Sequence, residues 1–331
     1  MAGRRLLTGL GLCLILAAMT FCLSLFAMKS GSISVSWGEL ADGLFRAYDA
    51  NVAAIYDLRF PRILVALLAG ASLACSGLLL QAALRNPLAD PGIIGISGGA
   101  AFTAALIAGF APMLFFMIPV FAFAGGLLSF LLIYSLAWKG GLDPVRIILV
   151  GVAVSAVFAG LTSAMSGMSN ASGVSLSVSG LSQRSWDDVR LLAVYAAVGL
   201  AAALLLSSAC NLLALEDQAV RGLGYNVDAL RFLISCAAVL LASSATAIVG
   251  VIGFLALLAP HAARRLIGSD HRVLTPFCML LGGFTLLLAD TFGRLVAAPL
   301  EIPAYVTMSV AGGPFFIFVL RRGGGRFGGR I

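Results

Sequence analysis

Metal binding and catalysis depend on clustered His, Cys, Asp, Glu or Ser side chains, and this sequence offers few such clusters. Its only two histidines are His261 and His271, with Asp270 as the nearby carboxylate. A zinc site needs more Cys, His or carboxylate ligands at short spacing. The six cysteines lie in or beside apolar segments without a Cys-x-x-Cys pair, which favours packing roles. We therefore predict no metal site.

The most suggestive polar residues are arginines at the ends of apolar segments. Arg59 and Arg62 lie one helical turn apart in LRFPRILVALLAG, and Arg294 follows a later apolar segment. A guanidinium group stays charged and can hold a carboxylate by two parallel hydrogen bonds. Arginines at helix ends also anchor helices to lipid headgroups, and the residues alone leave both interpretations open.

Composition defines the environment of these residues. Hydrophobic residues make up 61% of the 331-residue chain and charged residues only 11%, whereas a soluble domain has about 25% charged residues. The uncharged segments are long and continuous, which excludes a barrel of alternating strands of about 10 residues. The net charge of +7 is typical of basic cytoplasmic loops, and no pattern indicates nucleic acid binding. The sequence predicts an all-helical, multi-pass membrane protein.

Uncharged segments of about 20 residues predict the individual crossings. The first is too long for a cleaved signal peptide, whose apolar part has about 7–15 residues. Two longer segments each hold two helices, the first with a turn near 109–113. The predicted segments are 6–28, 63–84, 93–138 (two helices), 147–167, 191–215, 232–260, 273–289 and 302–320.

Charge decides whether segment 232–260 is one helix or two. One helix gives nine crossings and puts one of the two basic ends outside, against the positive-inside rule. A break at 249–253, where Gly250 and Gly253 lie, gives ten crossings with both termini cytoplasmic. We predict ten crossings in a single domain over residues 1–331, with a disordered basic tail at about 323–331.

The positions of the acidic residues bear on the source of energy. None lies in the middle of a predicted crossing; Asp290 ends the ninth and Glu301 precedes the tenth. Ion-coupled carriers generally keep ionisable groups near the midplane, so an ion-coupled carrier or channel is disfavoured. The sequence also lacks a GxxxxGK[ST] loop, so a partner would have to hydrolyse the nucleotide. No acid, base or nucleophile groups converge to suggest a membrane enzyme.

Two polar segments lie on the predicted cytoplasmic side. Segment 215–231 predicts a short amphipathic helix from Glu216 to Leu223, ended by Gly224. This helix is either a docking element for a soluble partner or a solvated connector. The loop at 84–92 contains two prolines, which enforce a defined turn.

Several long motifs in order resemble the FecCD-type permeases, the membrane subunits of ATP-binding-cassette (ABC) importers for iron–siderophore complexes, haem and cobalamin. The resemblance covers about residues 58–322. It is carried by LRFPRILVALLAGASLACSGLLLQAALRNPLADPGIIGISGGAA, GFLALLAPHAARRLIGSDHR, LLLADTFGRL and EIPAYVTMSVAGGPFF. It implies the type II ABC importer permease fold, with ten transmembrane helices and both termini cytoplasmic, in the cytoplasmic (inner) membrane of a bacterium.

The resemblance also implies partners and cargo. A second permease copy, identical or related, forms a dimer. Two cytoplasmic ABC ATPase subunits bind ATP and Mg²⁺, and an external substrate-binding protein delivers the ligand. The chain itself is then expected to hold no cofactor and to be no enzyme. A ferric siderophore is the expected cargo, with haem or cobalamin as the alternative.

Site residues follow from the family motifs position by position. Arg59, Arg62 and Arg294 match arginines that meet carboxylates of the binding protein. The residues implied to couple to the ATPase are Glu216, Asp217, Arg221, Gly222 and Gly224. The residues implied for the cytoplasmic gate and loops are Asp143, Pro144, Val145, Arg85, Asn86, Pro87 and Asp90.

The chain departs from the family pattern at a few positions. Tyr305 and Ala256 stand where the family usually has glycine, and Val251 replaces a common proline. The segment 177–186 lacks a tryptophan that often opens it and fits one residue short. These changes lie near the expected pathway or docking surface, so they bear on the substrate rather than on the fold.

Overall fold

The computed structural model describes residues 2–29, 50–137, 144–171, 180–296 and 300–323, and the regular structure within these ranges is entirely helical. A short 3₁₀ helix, Pro112–Met117, separates two of the α-helices. The α-helices are α1 (Ala2–Lys29), α2 (Ala50–Ala83), α3 (Ile96–Phe110), α4 (Ile118–Ala137), α5 (Pro144–Ala171), α6 (Trp186–Leu205), α7 (Ser207–Leu212), α8 (Asp217–Gly222), α9 (Val227–Val249), α10 (Leu255–Ile267), α11 (His271–Val296) and α12 (Ala304–Gly323).

In the described part of the chain, seven helices are long and apolar enough to cross a membrane, and α3 is a shorter apolar helix. The prediction of an all-helical, multi-pass membrane chain is confirmed for the described residues. The count of ten crossings and the cytoplasmic location of both termini stay predictions. The seven candidate spans are Gly9–Lys29, Tyr56–Ala83, Pro112–Ala137, Arg146–Ser166, Trp186–Leu205, Val227–Val249 and His271–Val296.

Both predicted interruptions of the long apolar segments are present. The first segment breaks after α3 ends at Phe110, where the 3₁₀ helix begins. The second breaks where α9 ends, because Gly250 has φ +77° and α10 begins only at Leu255. A positive φ is readily adopted by glycine and costs other residues energy, so the local sequence alone marks this helix end.

Helices α2 and α9 form the centre of the bundle. In each, 78% of the residues in the most apolar window are buried, against 11% for α1 and 17% for α5. The hydroxyl of Ser76 in α2 donates to the carbonyl of Ala238 in α9 at 2.7 Å. Gly70 in α2 lies so close to the backbone of Gly282 in α11 that a Cβ would clash. Small residues therefore allow close helix packing, as expected in lipid.

Candidate docking sites at the two ends of the bundle

Arg62 and Arg294 lie in a buried cluster with two carboxylates. Arg62 binds both oxygens of Asp290, with Nε–Oδ2 2.9 Å and Nη2–Oδ1 2.8 Å, and donates Nη1–H to Glu301 Oε2 at 2.8 Å. The Nε of Arg294 lies 3.3 Å from Asp290 Oδ2, one helical turn along α11. The two positive and two negative charges balance within the cluster, which joins α2, α11 and the segment before α12.

Burial differs sharply within this cluster. Arg62, Arg294 and Asp290 are 9%, 8% and 1% exposed, whereas the side chain of Glu301 is 44% exposed. Burial alone would raise the pKa of Glu301, but the hydrogen bond and charge of Arg62 outweigh it and lower that pKa. Glu301 is therefore ionised at neutral pH and is the one member of the four that solvent and partners reach easily.

Arg59 lies beside this cluster. Its Nη1 donates to the backbone carbonyl of Met28 at 2.5 Å, and Arg294 reaches the carbonyl of Ala27 at 3.5 Å. Both arginines therefore contact the last turn of α1, and the three predicted docking arginines lie together at one end of the bundle. Arg62 and Arg294 face the protein interior rather than an open rim. Their contact with a binding protein stays a prediction.

At the other end, the predicted amphipathic helix is present as α8. It begins after Glu216 and ends at Gly222, followed by Gly224 with φ +86°. Asp217 at its start accepts from Arg85 Nη1 at 2.7 Å and from Arg231 Nη2 at 3.0 Å. These two ion pairs connect α8 to the loop directly after α2 and to the N-terminal part of α9.

The surface of α8 suits a protein partner. Val220 is fully buried and holds the helix against the bundle, while Leu223 and Tyr225 are 60% and 49% exposed. The exposed Arg221 lies 3.6 Å from the equally exposed Asp228. Exposed apolar side chains rimmed by polar residues are typical of interaction sites. The coupling role of Glu216, Asp217, Arg221, Gly222 and Gly224 is not tested by these contacts and stays a prediction.

The loop after α2 is built by its own polar side chains. Asn86 Oδ1 accepts from the backbone N–H of Leu88 at 2.9 Å. Asp90 Oδ1 accepts from the N–H groups of Gly92 and Ile93 at 2.7 Å and 3.0 Å. These are local turn-forming bonds, so the observed contacts of both residues are structural. Pro87 lies between them, in the turn.

Arg85 opens the same loop with φ +47°, which is unusual for a residue with a side chain. Its guanidinium also donates to the carbonyls of Leu213 and Leu215. Of the predicted gate residues, Pro144 and Val145 form the first turn of α5. Asp143 and the predicted tail beyond Gly323 lie outside the described residues.

Asp90 is expected to make stability depend on pH. Burial raises its pKa to about 6, although backbone hydrogen bonds oppose the shift. Since the pKa is raised, the folded state favours the protonated carboxyl. The stability that protonated Asp90 contributes is present at pH 4 and is lost as the pH rises from about 4 to 6. Asp90→Asn should therefore increase the free energy of unfolding at pH 7.5 by up to about 3 kcal/mol, which raises the unfolding temperature. At pH 4 the substitution should have little effect.

Thermal unfolding in detergent at both pH values measures this effect. Asp187→Asn is the matched control, because its side chain is 56% exposed and its substitution should change stability little at either pH. An equal change for Asp90→Asn at pH 7.5 and pH 4 would rule out the raised pKa as the cause.

The fold and sites define a class of protein: a multi-pass helical membrane subunit with a short helix, α8, at one end of the bundle and no nucleotide-binding loop in its sequence. The chain belongs to the FecCD transport family, whose model matches residues 15–322. It is a permease subunit of a bacterial ABC importer, is located in the membrane, and is not an enzyme. Such permeases work with ATPase subunits and a substrate-binding protein.

Known proteins of this kind are similar along most of the chain. The "Probable heme-iron transport system permease protein IsdF" of Staphylococcus aureus (strain MSSA476) is 43% identical over 291 residues, covering 88% of this chain and 89% of the relative. The protein of the same name from strain Newman is also 43% identical over 291 residues, with the same coverage.

Two solved structures share the fold. One is titled "An inward-facing conformation of a putative metal-chelate type ABC transporter"; it has a TM-score of 0.77 and 27% identity, and the match covers 95% of this chain and 99% of that chain. The other, PsaBC from Streptococcus pneumoniae in complex with Fab, has a TM-score of 0.61, 15% identity, and covers 86% and 95%. At 15% identity, the second supports the fold alone.

Proposed function

We propose that this chain is the permease of an importer that moves haem across the cytoplasmic membrane. The observation that carries the choice of haem is the 43% identity, over 88% of this chain, to the haem-iron permease IsdF. The preference for a ferric siderophore expected from the sequence is thereby reversed, and the siderophore becomes the alternative. The proposed assembly has two permease copies with ten crossings each, both termini inside, two ATPases and an external binding protein.

Substrate specificity is tested on the reconstituted complex. The permease, its ATPase and its binding protein are placed in vesicles, and ATP hydrolysis and uptake are measured with haem, a ferric hydroxamate siderophore or cobalamin. We expect haem to stimulate hydrolysis several-fold and to be taken up, with the others inactive. If the siderophore but not haem stimulated ATP hydrolysis, the siderophore would replace haem as the proposed substrate.

In the proposed mechanism, the ATPases act on the permease through α8. Closure of the ATPases on ATP moves α8, and the ion pairs of Asp217 with Arg85 and Arg231 carry this movement to α2 and α9. Because these two helices are the most buried of the candidate spans, their displacement shifts the packing of the whole bundle. The proposed cytoplasmic gate, at Asp143, Pro144 and Val145, then opens or closes the exit.

The binding protein is proposed to dock at the arginine end through carboxylates. Glu301 already occupies one side of Arg62, so a partner carboxylate competes with Glu301 for that guanidinium. Arg59 is only half buried and provides a second positive charge at the same end. Charged pairs at such a rim mainly set orientation and association rate.

Two substitutions should therefore change docking in opposite directions. Arg59→Glu places a like charge opposite the partner carboxylate and should weaken binding at least tenfold. Glu301→Gln removes the internal competitor and should tighten binding. The affinity of the purified binding protein for the permease complex measures both changes, with the 76% exposed Arg190 replaced by Gln as control. Unchanged affinity in both variants would favour a purely structural role for these charges.

A further inference from the structure

A cavity of about 500 Å³ lies at the α8 end of the bundle, apart from the exposed face of α8. It is open to the surface on one side and is lined by the end of α2 and the loop after it, by α7, by α10 and by the first residue of α11. Its polar lining is rich in nitrogen: Arg85, His261, Arg264, Arg265 and His271. The remaining wall is mostly apolar, contributed by α2, α7 and the turn after α7.

Within the described part of the chain, two of the arginines in this cavity lack an acidic partner. Arg85 is paired with Asp217, but Arg264 donates only to the neutral side chain of Gln81, Nη2–Oε1 2.6 Å. Among residues 2–29, 50–137, 144–171, 180–296 and 300–323, no carboxylate pairs with Arg264 or Arg265. The cavity therefore carries an excess positive charge that an anion would balance.

The cavity also contains a buried hydrogen-bonding atom, Nε2 of His271. His271 is 7% exposed, and Asn211 Oδ1 lies 2.9 Å from both its backbone N and its Nδ1. The Nδ2 of Asn211 donates to Asp270 at 2.7 Å, so the amide oxygen faces His271 and Nδ1 carries the proton. In the neutral ring Nε2 is then an acceptor, and it has no partner among the described side chains and backbone. A buried acceptor of this kind favours a ligand with an O–H group.

The position of the cavity suggests where its ligand comes from. The candidate span of α2 ends at Ala83 and that of α11 begins at His271, so the cavity lies where two membrane spans end. Leu266, next to Arg265, is 58% exposed. Basic pockets between helices at this depth bind anionic lipid headgroups, and the apolar part of the wall suits the adjoining glycerol and acyl carbons.

We propose that this cavity binds a phosphate ester that also carries a hydroxyl group. The anionic phosphate oxygens accept hydrogen bonds from Arg264 and Arg265, and a hydroxyl donates to Nε2 of His271. Phosphatidylglycerol combines both groups and is already in the membrane. A soluble sugar or glycerol phosphate has the same chemistry and is the competing source.

The test uses the purified full-length chain in neutral detergent, with thermal unfolding as the measurement. Phosphatidylglycerol, phosphatidylcholine and glycerol phosphate are each titrated. We expect a saturating rise in unfolding temperature with phosphatidylglycerol, and none with phosphatidylcholine, whose headgroup has neither net charge nor hydroxyl. A similar rise at similar concentrations of glycerol phosphate would support the phosphate site and assign it to a soluble ligand.

Substitutions at two exposed arginines distinguish binding in the cavity from nonspecific attraction to the positively charged surface. Arg265→Gln should weaken the apparent affinity for phosphatidylglycerol about tenfold, the effect of losing one charge-assisted hydrogen bond. Arg272→Gln removes an exposed arginine of the same region that does not line the cavity, and should leave the affinity unchanged. Equal rises with both lipids, or equal affinity losses in the two variants, would overturn the proposal.

Discussion

Replacing Asp290 with asparagine is expected to lower the free energy of unfolding by about 3–5 kcal/mol, the usual cost of removing one partner from a buried ion pair. Asp290 is 1% exposed, accepts three hydrogen bonds from Nε and Nη2 of Arg62, and lies 3.3 Å from Nε of Arg294. After the substitution, Glu301, which is 44% exposed and paired with Arg62, is the carboxylate that remains in this cluster beside two buried guanidinium groups. The excess positive charge lies on side chains of Arg62 and Arg294, which are only 9% and 8% exposed, so bulk water compensates little of its desolvation.

Denaturant titration in detergent micelles measures this loss, with Glu301→Gln as the matched control. Glu301 belongs to the same cluster, but its side chain is 44% exposed, so its loss should cost about 1 kcal/mol or less. Combining Asp290→Asn with Arg294→Met restores neutrality and should recover part of the lost stability. Equal losses for the two single variants would show that charge balance in this cluster does not support the fold.

The second large effect is expected on coupling, at Gly222. A Cβ built on Gly222 meets no atom within 4 Å, so the permease itself has room for a larger side chain there. In the proposed assembly, α8 lies against the ATPase, and the added bulk of Gly222→Trp falls in that interface. We expect uptake to fall at least tenfold while the unfolding temperature of the isolated permease stays unchanged.

The measurement pairs haem uptake with ATP hydrolysis in the same vesicles. Gly222→Ala is the control, because a methyl group at this open position should leave both rates near those of the unmodified protein. Gly224 is not a suitable position for this test, since its φ of +86° would make any residue with a side chain strained there. Normal uptake in Gly222→Trp, or a lowered unfolding temperature, would argue against an interface at this position.

The helices and their ends could largely be predicted from the sequence. The breaks near 109–113 and 249–253 and the short helix α8 follow from hydropathy, glycine and proline over neighbouring residues. The ion pair between Asp290 and Arg294 could also have been predicted, because the two residues lie four positions apart on one helix. The pairing was nevertheless not predicted, because Asp290 was considered as the end of one helix and Arg294 as a docking residue.

The sequence by itself determined that this chain is an all-helical membrane permease, because hydropathy and motifs can be read from neighbouring residues along the chain. Only the tertiary structure decided that Arg62 pairs with Asp290, 228 residues away along the chain, and that Arg264, Arg265 and His271 share a cavity. A helix is specified by neighbours along the chain, but a buried charge takes its partner from whichever helix packs beside it. That packing depends on the whole bundle, and no segment of the sequence contains it.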